Sequence, residues 1–175
     1  MACEECGFSH ESLPIDDATD ALREMGRRYR MPLSRGLKGE DLDALLRAHP
    51  LEGTWSALEY ACHYRDVLSI QRQRLETARS QDDYAPEPMR REERVLELRY
   101  NEQDPPAVAD EVEANANAVA DYVDTFGPED WQRTMTYNFP QRESRPLSWV
   151  VRHTVHEGEH HLLDIGRVLR AARGR

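Results

Sequence analysis

The sequence has few cysteines and no long apolar stretch. It contains only Cys3, Cys6 and Cys62 in 175 residues, which is too few for a disulfide framework. No apolar run approaches the roughly 20 residues that a membrane-spanning helix needs. Residues 1–10 also lack the basic and apolar regions of a signal peptide. These absences predict a cytoplasmic protein that does not enter membranes and whose thiols are reduced or bind a metal.

Positive charge is also scarce. Asp and Glu number 33 against 23 Lys and Arg, which gives a formal net charge of −10. An acidic chain without a basic stripe repels phosphate backbones, so we expect no nucleic-acid partner. The hydrophobic fraction of 39% and the length of 175 residues suit one globular domain with its own core.

Helical periodicity dominates what is present. Apolar residues recur at three- and four-residue steps in four long segments, which begin near positions 16, 54, 105 and 148. Pro32 and Gly36 predict a break after the first segment, and shorter elements are expected within 38–48 and 94–100. No segment predicts a convincing strand pair. The pattern therefore predicts an all-α four-helix bundle over residues 15–175. A short irregular segment, residues 1–14, precedes it and should be dispensable for folding.

Histidines are concentrated in the last predicted helix. His153, His156, His160 and His161 lie within nine residues, and His63 lies mid-way along the second long helix. The i, i+4 spacing of His156 and His160 places both imidazoles on one helix face, and His63 is the natural third ligand. Imidazole suits zinc, nickel and iron. We predict one divalent metal, zinc or nickel, bound by His63, His156 and His160; a solvated histidine-rich surface is the alternative.

Two carboxylates accompany these histidines. Glu157 and Asp164 could orient imidazole N–H groups from behind the metal, although ordinary surface carboxylates explain each of them equally well. At about 100° per residue, the histidine face lies opposite the aliphatic face, so it looks at water, a polar cavity or a partner subunit. Residues 156–160 also match the His-Glu-x-x-His motif of zinc proteases. We consider a protease a weak alternative, because no strand is predicted to bind its substrate.

The N-terminal segment carries a possible second metal site. Cys3, Cys6 and Gly7 resemble half of a zinc knuckle, but structural zinc needs four ligands. His10 or the same cysteine pair from a second subunit could complete the set. A redox pair or two exposed thiols are the other interpretations, whereas Cys62 on an apolar stripe is predicted to be a small core residue.

Two stretches resemble the DinB-like superfamily of metal-binding bundles. These are Trp55 to His63 and Arg152 to His161. The superfamily includes thiol-dependent S-transferases and mycothiol-dependent maleylpyruvate isomerases. The resemblance implies an up-down-down-up four-helix bundle, the triad His63, His156 and His160 with one open position, and a homodimer. The usual Arg-Gly-Gln after the last histidine is absent here, so no single activity is implied.

Two functions of different kinds follow. A metal with an open position could activate a low-molecular-weight thiol such as mycothiol for transfer to an electrophile, or for isomerisation through a thiol adduct. Arg152 or Arg167 could then hold the carboxylates of the cosubstrate. The alternative is a non-catalytic metal-binding or stress-response bundle protein. A deep cleft favours the enzyme, whereas a closed four-ligand site favours the structural role.

Overall fold

Within the described residues, six α-helices and one β-hairpin make up the fold. The computed structural model describes residues 2–138 and 141–174, so Met1 and Arg175, at the ends of the two predicted units, lie outside the described residues. In chain order the elements are α1 (Ala18–Ser34), α2 (Leu42–Arg47), α3 (Ala57–Ser80), α4 (Arg91–Glu97), α5 (Pro105–Val123), β1 (Thr134–Tyr137), β2 (Glu143–Pro146) and α6 (Leu147–Ala172).

The four long helices form the predicted bundle. Helix α1 packs along α5, α3 packs against both α5 and α6, and α6 closes on α1. The cyclic order is therefore α1, α5, α3, α6, with the apolar stripe of each helix turned inward. None of the described helices is long and apolar enough to span a bilayer. The largest fully buried side chains are Leu22, Met25, Tyr29, Leu33, Leu46, Leu58, Tyr64, Leu68, Leu75, Tyr100, Met135 and Leu147.

The β-hairpin corrects the all-α prediction. Strands β1 and β2 pair antiparallel, with Thr134 opposite Pro146 and Tyr137 opposite Glu143. Each strand has only four residues, and β2 has no apolar alternation, so no periodicity could reveal it. Strand β2 leads directly into α6, whose first residue, Leu147, donates its N–H to the Arg133 carbonyl at 2.8 Å. The hairpin thereby fixes where α6 begins.

Local signals fix the register of α3. The Ser56 hydroxyl accepts the Glu59 N–H at 3.1 Å, and the Glu59 carboxylate accepts the Ser56 N–H at 2.7 Å. This capping box starts α3 at Ala57, three residues later than the predicted Thr54, and places His63 in its second turn. In α1, Pro32 does not end the helix, which continues to Ser34.

The buried carboxylate of Asp66 holds the connector that contains α4 against α3. Asp66 of α3 is almost fully buried. It accepts hydrogen bonds from Arg94 at 2.7 Å and from the Tyr100 hydroxyl at 2.6 Å, and it pairs with Arg65 at 2.9 Å. Charge-assisted bonds of this kind hold their geometry firmly. The connector is therefore held against α3, where residues 88–93 form one wall of a cavity.

Candidate metal centre

Helix α6 presents two pairs of metal-ligating side chains. His156 and His160 form one i, i+4 pair, and Glu157 and His161 form another. Because the pairs are offset by one residue, they lie on adjacent strips of the helix, about 100° apart. The two strips therefore face different neighbours.

The second pair faces α3. His63, Glu157 and His161 each contribute a ligand atom, and these atoms lie within 4.8 Å of one another; we call this group the inner site. The rings of His63 and His161 meet edge to face with centroids 4.8 Å apart. Both histidines are less than 10% exposed. Three converging nitrogen and oxygen ligands of this type are what a catalytic zinc site uses.

Glu157 and His161 each have a neighbouring side chain that can orient them. Asp164 Oδ2 lies 3.1 Å from His161 Nδ1, which leaves His161 Nε2 facing Glu157 Oε2 at 3.6 Å. The other oxygen of Glu157 lies 3.3 Å from His153 Nε2. Carboxylate–histidine contacts of this kind fix the tautomer and direction of a metal-bound imidazole. For a metal held by His63, Glu157 and His161, Asp164 would orient His161 and His153 would orient Glu157.

His63 fits a metal ligand for a separate reason. Its Nδ1 is buried and has no hydrogen-bond partner among the described residues. Burial lowers the pKa of His63 to about 3, with a further contribution from His161, so the ring is neutral at physiological pH. A buried nitrogen without a partner is costly, and a neutral imidazole is the form that binds metals. The residues of the inner site thus fit a divalent ion.

The remaining two ligands carry opposite charges in the metal-free chain. Burial alone would lower the pKa of His161, but hydrogen bonds from its ring to Asp164 and Glu157 outweigh it and raise the pKa to about 9. Burial would raise the pKa of Glu157, but its bonds to His153 and His161 hold it well below the usual range. A cation bound between Glu157 and His161 Nε2 would replace the proton on that nitrogen, while the contact of His161 Nδ1 with Asp164 would remain.

The structure divides the predicted triad between two groups. His156 and His160 have ligand atoms within 4.8 Å of those of Cys3 and Cys6, whereas His63 is grouped with Glu157 and His161 instead. The sequence could not decide between the two i, i+4 pairs, because the choice depends on how α6 is rotated against α3. The i, i+4 spacing of Glu157 and His161 carries the same signal as that of His156 and His160.

His10, which was not predicted to belong to the histidine site, lies beside the cluster on α6. Its ring is parallel to that of Trp149, with centroids 5.0 Å apart, and its Nε2 lies 3.2 Å from His153 Nδ1. The N-terminal segment thus lies across α6. Its position results from a tertiary contact, for which the local sequence has no signal.

A cavity of about 750 Å³ opens beside the inner site. Aromatic rings of Tyr137 and Trp149 form part of its wall. The arginines that line it are Arg74 of α3 and Arg90 and Arg91 at the start of α4.

The two arginines suggested by the sequence are engaged elsewhere. Arg152 donates to the Leu13 carbonyl at 2.7 Å, and Arg167 pairs with Glu5 at 3.0 Å. Neither is among the residues that line this cavity.

Comparison with known proteins identifies the family and the fold. The sequence profile of the DinB superfamily matches residues 35–165. YfiT from Bacillus subtilis, described as a probable metal-dependent hydrolase with an unusual four-helix bundle topology, superposes with a TM-score of 0.80 at 15% identity over 91% of this chain and 90% of its own. A mycothiol-dependent maleylpyruvate isomerase superposes with a TM-score of 0.69 at 18% identity over 91% of this chain and 63% of its own. No curated protein sequence matches the chain. At these identities the likeness of the two structures establishes the fold.

Proposed function

This chain belongs to the DinB superfamily, and from that premise we propose that it is a metal-dependent enzyme that uses a low-molecular-weight thiol. The proposal rests mainly on the inner site of His63, Glu157 and His161, which lies in the wall of a cavity of about 750 Å³. Two histidines and one glutamate are a ligand set of catalytic zinc enzymes, which keep a fourth position open for substrate.

The protein supplies a rigid and largely buried site for this chemistry. A divalent ion bound there would lower the pKa of a coordinated thiol or water toward neutrality. Asp164 holds His161 through Nδ1, and His153 holds one oxygen of Glu157. The ligand atoms therefore need little reorganisation when substrate arrives.

The cavity offers matching chemistry for an acidic cosubstrate. Arg74 is partly buried, and burial lowers the pKa of its guanidinium. It donates to the Glu87 carbonyl at 2.6 Å, so a carboxylate on a bound acidic substrate would offset its remaining desolvation. The Tyr137 and Trp149 rings, with centroids 5.1 Å apart, provide an apolar surface for the rest of the molecule.

The proposed reaction is a thiol transfer. The thiolate sulfur forms a bond to an electrophilic carbon, and either a leaving group departs with its electron pair or a double bond is saturated, in which case the neighbouring carbon takes a proton from solvent. In an isomerisation the same carbon–sulfur bond later breaks and returns the thiol. The thiol proton passes to solvent, because the histidines of the inner site are required as neutral ligands.

Calorimetry with defined thiols tests the proposal. Zinc-loaded protein is titrated with mycothiol and glutathione, and with their S-methyl derivatives as matched controls that lack only the ionisable thiol. We expect thiol binding that requires zinc and is lost in His161→Ala, while the S-methyl compounds bind at least about tenfold more weakly. His49→Ala serves as the protein control, since His49 pairs with Glu59 and belongs to neither ligand group.

Two outcomes would contradict the proposal. Equal binding of the thiols and their S-methyl derivatives would mean that sulfur does not reach the metal. Absence of thiol binding to fully zinc-loaded protein would favour the non-catalytic metal-binding alternative.

A further inference from the structure

The N-terminal segment brings its cysteines to the other ligand pair of α6. Ligand atoms of Cys3, Cys6, His156 and His160 all lie within 4.8 Å of one another. Cys3 Sγ is 3.8 Å from His160 Nδ1. A tetrahedral zinc with Zn–S near 2.3 Å and Zn–N near 2.0 Å separates its ligand atoms by roughly 3.3–3.8 Å. The four side chains therefore need only small shifts to share one ion.

The backbone of the segment is shaped like a metal-binding turn. Gly7 donates to the Cys3 carbonyl at 2.9 Å, and Cys3 donates to the Phe8 carbonyl at 2.8 Å. Gly7 has φ of +75°, a conformation that glycine adopts without strain. Burial raises the pKa of the Cys6 thiol, and the backbone N–H of Phe8, which donates to its sulfur, opposes this effect. The turn thus holds both sulfurs on one side.

The histidines on α6 are oriented toward the same point. His156 Nε2 is buried and has no hydrogen-bond partner among the described residues, and the Phe8 ring stacks on His156 with centroids 5.3 Å apart. His160 presents Nδ1 to Cys3, while its Nε2 lies 3.7 Å from Asp164 Oδ2. Asp164 therefore contacts one histidine of each group, His161 of the inner site and His160 of the pair that faces the cysteines.

A competing group is already satisfied by hydrogen bonds. His10, His153 and His156 also have ligand atoms within 4.8 Å of one another. Both nitrogens of His153 are engaged, Nδ1 with His10 at 3.2 Å and Nε2 with Glu157 at 3.3 Å. His156 Nε2 remains for another ligand, and sulfur ligands select zinc more strongly than a third imidazole does.

We propose that Cys3, Cys6, His156 and His160 form a second, structural zinc site that fastens the N-terminal segment across α6. The site is closed by four protein ligands, as structural zinc sites are, and two thiolates with Zn²⁺ leave it electrically neutral. This inference is independent of the proposed thiol chemistry, because it concerns a different ligand set.

The site would also complete the cavity. Ala2, Cys3, Glu5 and His10 line it from the N-terminal side. Zinc at the outer site (Cys3, Cys6, His156 and His160) would therefore hold one wall of the cavity in place while the inner site keeps its open position. Loss of this ion should free the segment without unfolding the bundle.

Cobalt substitution tests the site in the full chain. Protein stripped with a chelator is titrated with CoCl₂ in the presence of a phosphine reductant. We expect two ions per chain, with a sulfur-to-cobalt charge-transfer band for one of them. Cys3→Ser combined with Cys6→Ser should bind one ion and lose the band. Cys62→Ser is the matched control and should keep both, since Cys62 is buried away from the turn and burial raises its pKa to about 12.

X-ray absorption at the zinc edge and thiol labelling complete the test. The sulfur-containing site should show two sulfur and two nitrogen ligands; four sulfurs would overturn it in favour of a site shared by two chains. Zinc should slow alkylation of Cys3 and Cys6 at least tenfold, an effect that His156→Ala and His160→Ala abolish. Absence of a charge-transfer band from the cobalt-loaded wild-type chain, or a band that survives loss of both cysteines, would also overturn the proposal.

Discussion

A one-residue offset on α6 decides which side chains form the inner site. Glu157 and His161 face His63, while His156 and His160 face the cysteines. The sequence predicted a histidine-rich metal site on this helix and named His63 as the ligand from α3. It could not tell which i, i+4 pair meets His63, because that depends on helix rotation set by packing far from the site.

Substitution of Asp164 tests how the inner ligands are held. In a Cys3→Ser, Cys6→Ser background, which removes the outer site, Asp164→Asn should weaken zinc affinity about 10- to 100-fold, because His161 loses its anionic partner at 3.1 Å. Competition with a chromophoric chelator measures the affinity. Asp43→Asn, which alters an exposed ion pair on α2, should leave it unchanged. Equal affinities for both variants would remove Asp164 from the orienting role.

Zinc binding at the inner site should release about one proton per ion at pH 7. The pKa of His161 is about 9 without metal, so its ring carries a proton at pH 7 that a ligating imidazole must lose. His63 contributes none, since its pKa is about 3. Calorimetry in the Cys3→Ser, Cys6→Ser background, repeated in buffers with different ionisation enthalpies, counts the protons. Zero protons at pH 7 would contradict the His161 assignment.

At the scale of elements, periodicity predicted the four long helices and missed the hairpin. The predicted start near position 105 agrees with α5, which begins at Pro105, since proline in the first turn of a helix is a local signal. Strand β2 is held by its pairing with β1 and carries no apolar alternation. The position of the N-terminal segment was equally hidden, because His10 and Cys3 contact α6 more than 140 residues away.

Helix α6 packs closely against the bundle core at Gly158, so a substitution there tests this packing. A Cβ at Gly158 would lie 2.4 Å from Met25 Cγ and 2.7 Å from Tyr64 Cζ. Gly158→Ala should therefore lower the free energy of unfolding by about 1–3 kcal/mol. Gly166→Ala on the same helix meets nothing within 4 Å and should raise it by about 0.5–1 kcal/mol. Urea unfolding measures both, and a neutral Gly158→Ala would mean that α6 packs more loosely.

For the whole molecule, burial of histidines should make the metal-free chain sensitive to acid. Burial lowers the pKa of His10 and His156 to about 4 and that of His63 to about 3. Between the unfolded value near 6.5 and these values, only the unfolded chain takes up the protons. The contribution of these three histidines to the free energy of unfolding is therefore present above pH 6.5 and is lost as pH falls toward 4.

His161 gives the opposite slope at higher pH. Its folded pKa of about 9 lies above the unfolded value, so its contribution is present below pH 6.5 and is lost as pH rises through 9. Urea unfolding in the presence of a chelator should thus show greatest stability near neutral pH. His63→Gln should have a shallower acid limb, and a stability that keeps rising from pH 7 to pH 9 would disagree with the charged state of His161.

The most direct test of the inner site compares two histidine substitutions in the chain that lacks Cys3 and Cys6. With the outer site removed, we expect His161→Ala to lose the remaining zinc and His156→Ala to keep it, measured as metal content after gel filtration. Retention of zinc by His161→Ala together with its loss from His156→Ala would contradict this account and restore the triad of His63, His156 and His160.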